Sequence, residues 1–334
     1  MGDNKISSTV FSQAASPTAS AAGDRFTGRR KQSLARRILR QKYVLLMLLP
    51  AFTLTTIFSY IPLSGWVIAF TNYKVGRSIF AGEFAGLKYF RNFVMNSQDF
   101  MYLLRNTLTI NLVSIVLNVC VALIFAILIN EIKSKLLSKA VQTVTFFPYF
   151  ISWVIIYAIV WALFAVRSGA INQFLVVNEF IKKGLNILGD PKYSWPLMIL
   201  LNLWRYLGYG SIIFLASISG IPHEEYEAAA IDGCGRFKRM YYITFRNIMP
   251  TMAVLLIMNS GWVFNSNLEQ FFVFTNSSNM TRMEVLDMYI YRYGLQNLNY
   301  SYATAVGIMK TTISIALLCF VNWSSRKLSG AGIF

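Results

Sequence analysis

Six long apolar runs decide most of what this chain can become. They cover about Tyr43–Phe70, Thr107–Ile129, Val144–Val166, Trp195–Ser219, Ile248–Phe274 and Tyr302–Trp323. A helix needs roughly 20 apolar residues to cross a bilayer, and every run qualifies. The sequence therefore predicts an all-α, polytopic membrane protein with six transmembrane helices. Composition agrees: 55% of the 334 residues are hydrophobic and only 13% are charged, where a soluble domain has about a quarter charged. The first run is long enough to tilt or kink, with Pro50 and Pro62 as the expected kink points.

The formal charge of +17 would suit nucleic acid if the cations formed one patch. They sit instead on alternate connections between the runs, so no nucleic-acid partner is expected. Arg29, Arg30, Lys31, Arg36, Arg37, Arg40 and Lys42 precede the first run. Lys133, Lys135 and Lys139 lie between the second and third, and Arg236, Lys238, Arg239 and Arg246 between the fourth and fifth. Arg326 and Lys327 follow the sixth. With six spans, all of these fall on one side, which the positive-inside rule makes the cytoplasm, with both termini there. The expected organisation is a disordered cytoplasmic tail with a basic anchor over residues 1–42, a transmembrane domain over 43–323 facing membrane lipid, and a cytoplasmic tail over 324–334. The tail is not a cleavable signal peptide, because the apolar run after it is too long for an h-region. Cys120, Cys234 and Cys319 lack disulfide or metal spacing, and His223 is the only histidine, so no metal site is expected.

One connection differs from the rest. Residues 221–250 run "IPHEEYEAAAIDGCGRFKRMYYITFRNIMP". Pro222 suits a helix start, Glu224, Glu225 and Glu227 suit its positive end, and Ala228, Ala229 and Ala230 propagate it. Gly233 and Gly235 then break it or let it turn. The basic stretch after them, with Phe237, Tyr241 and Phe245 at helical spacing, reads as an amphipathic segment. Composition alone leaves two readings open, a helix lying on headgroups or a helix docking into another protein. The alanine row and the flanking acids favour docking.

The segment resembles the EAA loop of ABC importer permeases, whose pattern is Glu-Ala-Ala, three residues, Gly, nine residues, Ile, one residue, Leu-Pro. Here Glu227-Ala228-Ala229, Gly233 and Ile243 match, while Phe245-Arg246 stands where the pattern has Leu-Pro and the nearest proline is Pro250. The departure bears on the kink expected at the exit of the loop. The resemblance covers nearly the whole chain after the tail, through "YIPLSGWVIAF", "GLKYFRNF", "LGDPKYSW", "YGSIIFLASISGI" and "YSYATAVGIMK". The chain is similar to carbohydrate importer permeases of the multiple-sugar and lipoprotein-dependent polysaccharide type. The resemblance implies a type I permease fold in a bacterial plasma (inner) membrane. It also implies a second homologous permease, two cytoplasmic ABC ATPase subunits and an external solute-binding protein. Glu227, Ala228, Ala229, Asp232 and Gly233 would then form the coupling helix that meets the ATPase. The chain itself has no G-x-x-x-x-G-K-[ST] phosphate loop and no nucleophile–base set. No cofactor is expected in it, with ATP and Mg held by the partner ATPase, and no enzyme activity is expected.

Polar side chains within the runs are the remaining candidates, because a polar group in hydrocarbon is costly. Asn202, Arg205, Tyr206 and Tyr209 recur at i, i+3, i+4, i+7, the spacing of one helix face. Trp262, Asn265, Ser266 and Glu269 repeat that spacing in the fifth run. Two such stripes suit an oligosaccharide: amides bond hydroxyls and aromatic rings stack on the apolar face of a pyranose. The resemblance to maltose-type permeases places sugar contacts on these same two runs, at Asn202, Tyr209 and Trp262. Arg205 suggests an acidic sugar, met through its carboxylate. The competing structural reading has Arg205 and Glu269 paired to hold two helices together, with Trp262 packed on the partner permease. Lys310 is expected to pair with a carboxylate such as Glu269 or one on the partner. Trp153 and Asn118 read as ordinary packing and interhelical hydrogen bonding. Two further functions compete with import: an ion-coupled secondary transporter using Glu269, Arg205 and Lys310 as a relay, and a membrane scaffold or sensor.

Overall fold

The computed structural model describes residues 42–96 and 98–329, so most of the N-terminal tail, including its basic anchor, and the last five residues lie outside the described residues. The chain divides into two units, Met1–Leu63 and Ser64–Phe334. In the first, an α-helix over Lys42–Thr55 passes through Pro50 without a break, and a π turn follows over Thr56–Tyr60. A 3-10 stretch, Ile61–Phe70, completes the run. The helix is unbroken at Pro50, and the change of ladder falls just before Pro62. A proline ring crowds the carbonyl four residues earlier, here that of Phe58, and a widened turn relieves the clash.

The second unit is built around one helix. Phe100–Asn130, 31 residues long, is the most buried of the apolar helices. Three clusters follow one another along it. Leu103 sits with Phe93, Val263, Phe264, Leu286, Tyr289, Tyr302 and Val306 near its start. Ile110 joins Trp153, Ile156, Met198, Phe271 and Phe274 further along. Val119, Ala122, Leu123, Ala126 and Ile127 meet Phe214, Ile218 and Ile248 towards its end. The fourth helix, Pro191–Ser219, packs along much of its length. Small residues allow the approach: a Cβ on Gly210 would stand 3.2 Å from that of Ala122.

Two of the six runs are not single helices. The third is a helix over Lys135–Phe146 with a 3-10 turn over Phe147–Phe150, then a second helix over Trp153–Phe164, bent by 101° at the break. The expected straight span over Val144–Val166 is thus corrected. Pro148 tightens the turn, and Ser152 leaves the helical region and caps the next helix, accepting from the Ile155 N–H. The fifth run is corrected as well. Its long helix spans Arg236–Ser260, Gly261–Asn267 is not α-helical, and a short helix follows over Leu268–Phe274. The basic segment after Gly235 is therefore the first part of this helix rather than a separate amphipathic element. A π turn over Met240–Phe245 joins it to Arg246–Ser260, so the helix runs through Phe245-Arg246 without a break. The sixth helix, Tyr300–Ser329, extends beyond Tyr302–Trp323 at both ends, so the C-terminal segment begins inside it. Among the described residues five helices are long and apolar enough to cross a membrane, or six when the bent pair is counted as one span.

The segment between the fifth and sixth spans is clamped onto the second helix. Asn106 Nδ2 donates to the carbonyls of Thr281 and Glu284, both at 3.0 Å, and the Leu286 N–H donates to Thr107 Oγ1. The Glu284 side chain is fully buried. Tyr102 donates to its Oε2 at 2.6 Å, and Arg292 Nε lies 2.8 Å from its Oε1. Burial raises the Glu284 carboxyl above its ordinary value, outweighing the Tyr102 hydrogen bond and the Arg292 charge, which lower it.

Two predictions follow from this packing. A Cβ on Gly208 would stand 2.4 Å from the Thr145 carbonyl oxygen, so the fourth helix meets backbone there and nothing can yield cheaply. Gly208→Val should cost about 1–3 kcal/mol or more, read as lost yield and a lower Tm of the purified protein. For Glu284, a raised acid means that the folded protein holds the proton more tightly than the unfolded chain. That stabilisation is complete below the ordinary value of 4.5 and is lost as pH climbs through the raised one. Glu284→Gln lacks this term, so its Tm should gain on the wild-type Tm as pH rises above 4.5. A difference that stays constant with pH would exclude the assignment.

Candidate functional site

A cavity of about 650 Å³ opens where the second, fourth and broken fifth spans meet. Its lining carries Asn111, Ser114 and Asn118 from the second helix, Asn202, Tyr206 and Tyr209 from the fourth, and Tyr149 from the turn at the bend of the third. The fifth run supplies Asn259, Trp262, Asn265, Asn267, Gln270 and Phe271. Five of the eight residues expected to touch substrate meet here: Asn202, Tyr206, Tyr209, Trp262 and Asn265. Trp262 and Asn265 arrive by another route than the helical spacing suggested, because both lie on the Gly261–Asn267 break. Ser266 points elsewhere, accepting from Asn111 Nδ2 at 2.9 Å. Glu269 and Arg205 do not line the cavity.

The two breaks shape this site. Asn111 lies about 16 Å along the second helix from its start. It donates to the Val263 carbonyl at 2.7 Å and so satisfies the unwound segment. At the other break, Tyr149 stacks on Tyr209 with ring centres 4.4 Å apart and 5° between planes, and stands edge-on to Tyr206. Across the cavity, Asn118 Nδ2 donates to Asn202 Oδ1 at 2.8 Å. Asn118 therefore makes the interhelical bond expected of it, and it also lines the cavity, which was not expected. Asn111, Ser114 and Asn118 repeat at three and four residues, the same signal that marked the fourth span, and so were detectable in the sequence. Asn259, three residues before Trp262, extends the fifth-run stripe by one turn, whereas Tyr149 carries no such signal.

The charged residues are rearranged relative to expectation. Arg205 does not pair with Glu269. Its Nε donates to the Ile151 carbonyl at 3.1 Å, inside the bend, and its guanidinium lies 4.9 Å from the Trp153 ring and 5.4 Å from Tyr206. Trp153 is thus a buried platform for a cation as well as a core residue. Glu269 is exposed in the first turn of Leu268–Phe274. Lys310 pairs with Asp287 instead of Glu269. Glu269, Arg205 and Lys310 therefore do not assemble into an ion relay. Among the described residues the ion pairs are Arg236–Glu131, Arg292–Glu284 and Lys310–Asp287.

The second candidate element lies at the far end of the second helix. A helix over His223–Ile231 starts after Pro222, which is its cap and not its first residue, and carries Glu224 and Glu225 in its first turn. It closes with the Cys234 N–H on the Ala229 carbonyl (2.9 Å) and the Gly233 N–H on that of Ala230 (3.2 Å). This closure needs a left-handed residue, and Gly233 supplies it at φ 71°. Glu227, Ala228, Asp232 and Gly233 are exposed and Ala229 is half-buried. Ile231 and Phe237 stand 87% and 82% exposed beside them, which marks an apolar surface with no cover from this chain. Three contacts brace the element. Tyr226 Oη shares a hydrogen bond with Thr244 Oγ1 at 2.9 Å, Asn247 donates to Glu225, and Arg236 bonds both the carboxylate and the carbonyl of Glu131.

The similarity of the chain to known proteins runs along most of its length. Residues 118–330 match the family described as binding-protein-dependent transport system inner membrane component. Protein LplB of Bacillus subtilis is 35% identical over 295 residues, covering 88% of this chain and 92% of that protein. The polygalacturonan/rhamnogalacturonan transport system permease protein YteP of Bacillus subtilis is 34% identical over 92% of this chain and 95% of its own length. Among solved structures, a bacterial ABC transporter involved in the import of the acidic polysaccharide alginate superposes with a TM-score of 0.80. That chain is 31% identical, with 89% of this chain and 100% of that one covered. The alginate transporter in complex with an alginate pentasaccharide-bound periplasmic protein gives a TM-score of 0.81 at the same identity. With the six spans, the cavity and the exposed helix in place, the chain belongs to the family of inner-membrane permease components of binding-protein-dependent ABC transporters and is a transport subunit rather than an enzyme.

Proposed function

We propose that the chain is one of two permease subunits of an ATP-driven, binding-protein-dependent importer of oligosaccharides, with acidic sugars as the favoured class. The observation that carries the reading is the cavity. It sets amides that donate and accept, from Asn111 to Gln270, among the rings of Tyr149, Tyr206, Tyr209 and Trp262. That is the chemistry of a pyranose with hydroxyls around its rim and an apolar face. The acidic class is supported by Arg205, which has no carboxylate partner among the described residues and donates to Tyr206 Oη at 3.3 Å. Tyr206 lines the cavity, so a cation stands one ring behind its wall. The relatives whose names specify alginate and polygalacturonan agree with that class.

The exposed Glu227–Gly233 helix is the surface for a partner ATPase on the cytoplasmic side, and that partner holds the ATP and Mg. The periplasmic protein in the alginate complex supports an external solute-binding protein as a further partner. The braces support one route for motion: a push on His223–Ile231 reaches the fifth helix through Tyr226 and Thr244, and Arg236, the first residue of that helix, passes it to the end of the second through Glu131. Both helices contribute to the cavity lining, so a differential shift between them reshapes it.

In vesicles carrying the full transporter, Glu227→Lys should lower uptake of labelled trigalacturonate about tenfold or more, with the permease still in the membrane at normal level. Normal uptake would exclude the coupling role. Arg205→Gln should reduce uptake of trigalacturonate about tenfold relative to its uncharged galactose counterpart. Equal losses for both sugars would make Arg205 a clip for the bend alone.

A further inference from the structure

The Gly261–Asn267 segment is a wall with two sides. One side carries Trp262, Asn265 and Asn267 into the cavity described above. The other is lined by a separate cavity of about 580 Å³, where Ser266 meets Asp287 and Lys310. Asp287 spends its carboxylate twice. Oδ2 accepts from the Ser266 N–H at 2.7 Å, and Oδ1 takes Lys310 Nζ. The pair is largely out of solvent, with side-chain exposures of 20% for Asp287 and 10% for Lys310. Lys310 is the eleventh residue of Tyr300–Ser329, about 15 Å along that helix.

A buried ion pair at such depth gives little net stability, because desolvating both charges offsets their attraction and an apolar pair of similar volume often does as well. Its value lies in direction. We propose that Asp287 is a positioning residue for the sugar cavity: it holds the unwound wall by the Ser266 amide and ties that wall to the sixth helix through Lys310. The wall then follows the sixth helix when the bundle moves, and Trp262 and Asn265 keep their places only while the clasp is closed. Gly307 lies beside Lys310 with nothing within 4 Å of an added Cβ, so the helix has room to shift against the pair.

The proposal rests on the cavity being the solute pathway, but its test needs no solute. Asn265→Cys is introduced after Cys120, Cys234 and Cys319 are replaced by alanine, and the full transporter is purified through its partner subunits so that only assembled protein counts. The rate of labelling by a small thiol reagent then reports the wall. Asp287→Asn and Lys310→Met should each change that rate about fivefold or more, while Lys310→Arg, which keeps the charge pair, leaves it unchanged. A Gln173→Cys control on the Ala170–Val177 helix should not respond. The double variant Asp287→Leu with Lys310→Met has no orphan charge and should assemble, yet still show the altered rate. A wild-type rate in the assembled double variant overturns the proposal and leaves the pair a matter of charge balance. Wild-type rates in both single variants overturn it too. Altered labelling together with an absence of sugar transport would keep the clasp and remove the sugar reading.

Discussion

A backbone amide or carbonyl shut away from water needs another partner, and everything distinctive in this protein follows from breaking two helices inside its apolar runs anyway. Each break frees polar groups that cost several kcal/mol if left bare. At the bend of the third span, Arg205 reaches across from the fourth helix to the Ile151 carbonyl. At the unwound stretch of the fifth, Asn111 takes the Val263 carbonyl and Asp287 the Ser266 amide. The side chains that repair the breaks come from neighbouring helices, so each repair is also a crosslink. The bundle is held together at its most polar level by the bonds that excuse its irregular backbone.

Those breaks are what make a cavity possible. A straight fifth helix would keep its amides and carbonyls to itself and present one narrow stripe. Unwound, it offers Trp262, Asn265 and Asn267 within a short stretch of chain, and the bend of the third span brings Tyr149 flat against Tyr209. The lining holds amides, hydroxyls and rings without a formal charge, while Arg205 and the Asp287–Lys310 pair stand one layer back. Neutral donors bind a solute less tightly than a facing charge, and a pathway must release what it binds. A cation behind a ring biases the cavity towards anions without offering a contact that would trap them.

Much of this was legible in the sequence, and what was missed has a common cause. Apolar length marks six runs, and the spacing in the fourth puts Asn202, Tyr206 and Tyr209 on the side that lines the cavity, with Arg205 outside the lining. The helix over His223–Ile231 was readable from Pro222, the acids after it and Gly233, because capping is a local matter. The breaks were harder. Pro148 and Ser152 signal the bend in hindsight, but hydrophobicity stays high through it and a length criterion passes over the interruption. In the fifth run, Trp262, Asn265, Ser266 and Glu269 keep helical spacing although Val263, Phe264 and Asn267 between them are not helical, so spacing alone gave the right neighbours for two residues and the wrong face for the others. Partner choice among charges was the least legible. Arg205, Glu269 and Lys310 are the conspicuous ions of the runs, yet Lys310 found Asp287, a residue outside every run, and Arg205 found a carbonyl and three rings. Such pairings depend on how a loop folds back, which no periodicity encodes.

The two helices that connect the exposed His223–Ile231 element to the cavity differ in stiffness, and the difference has a mechanical consequence. The second is an unbroken 31-residue helix, with its last turns locked by the Ala122, Ala126, Phe214 and Ile248 cluster. The fifth contains a π turn at Met240–Phe245, a proline at Pro250 and the break after Ser260. A displacement shared between them through Glu131 and Thr244 moves the second as a rod, while the fifth yields at its irregular points. The place where that mismatch must be absorbed is the Gly261–Asn267 wall, which faces Asn111, Ser114 and Asn118 on the rod. A bundle of six straight helices would pass the same displacement to its far side without changing the space between them. The irregular backbone costs stability at two places in the bundle, and through it a motion at one end becomes a change of shape where the solute would sit.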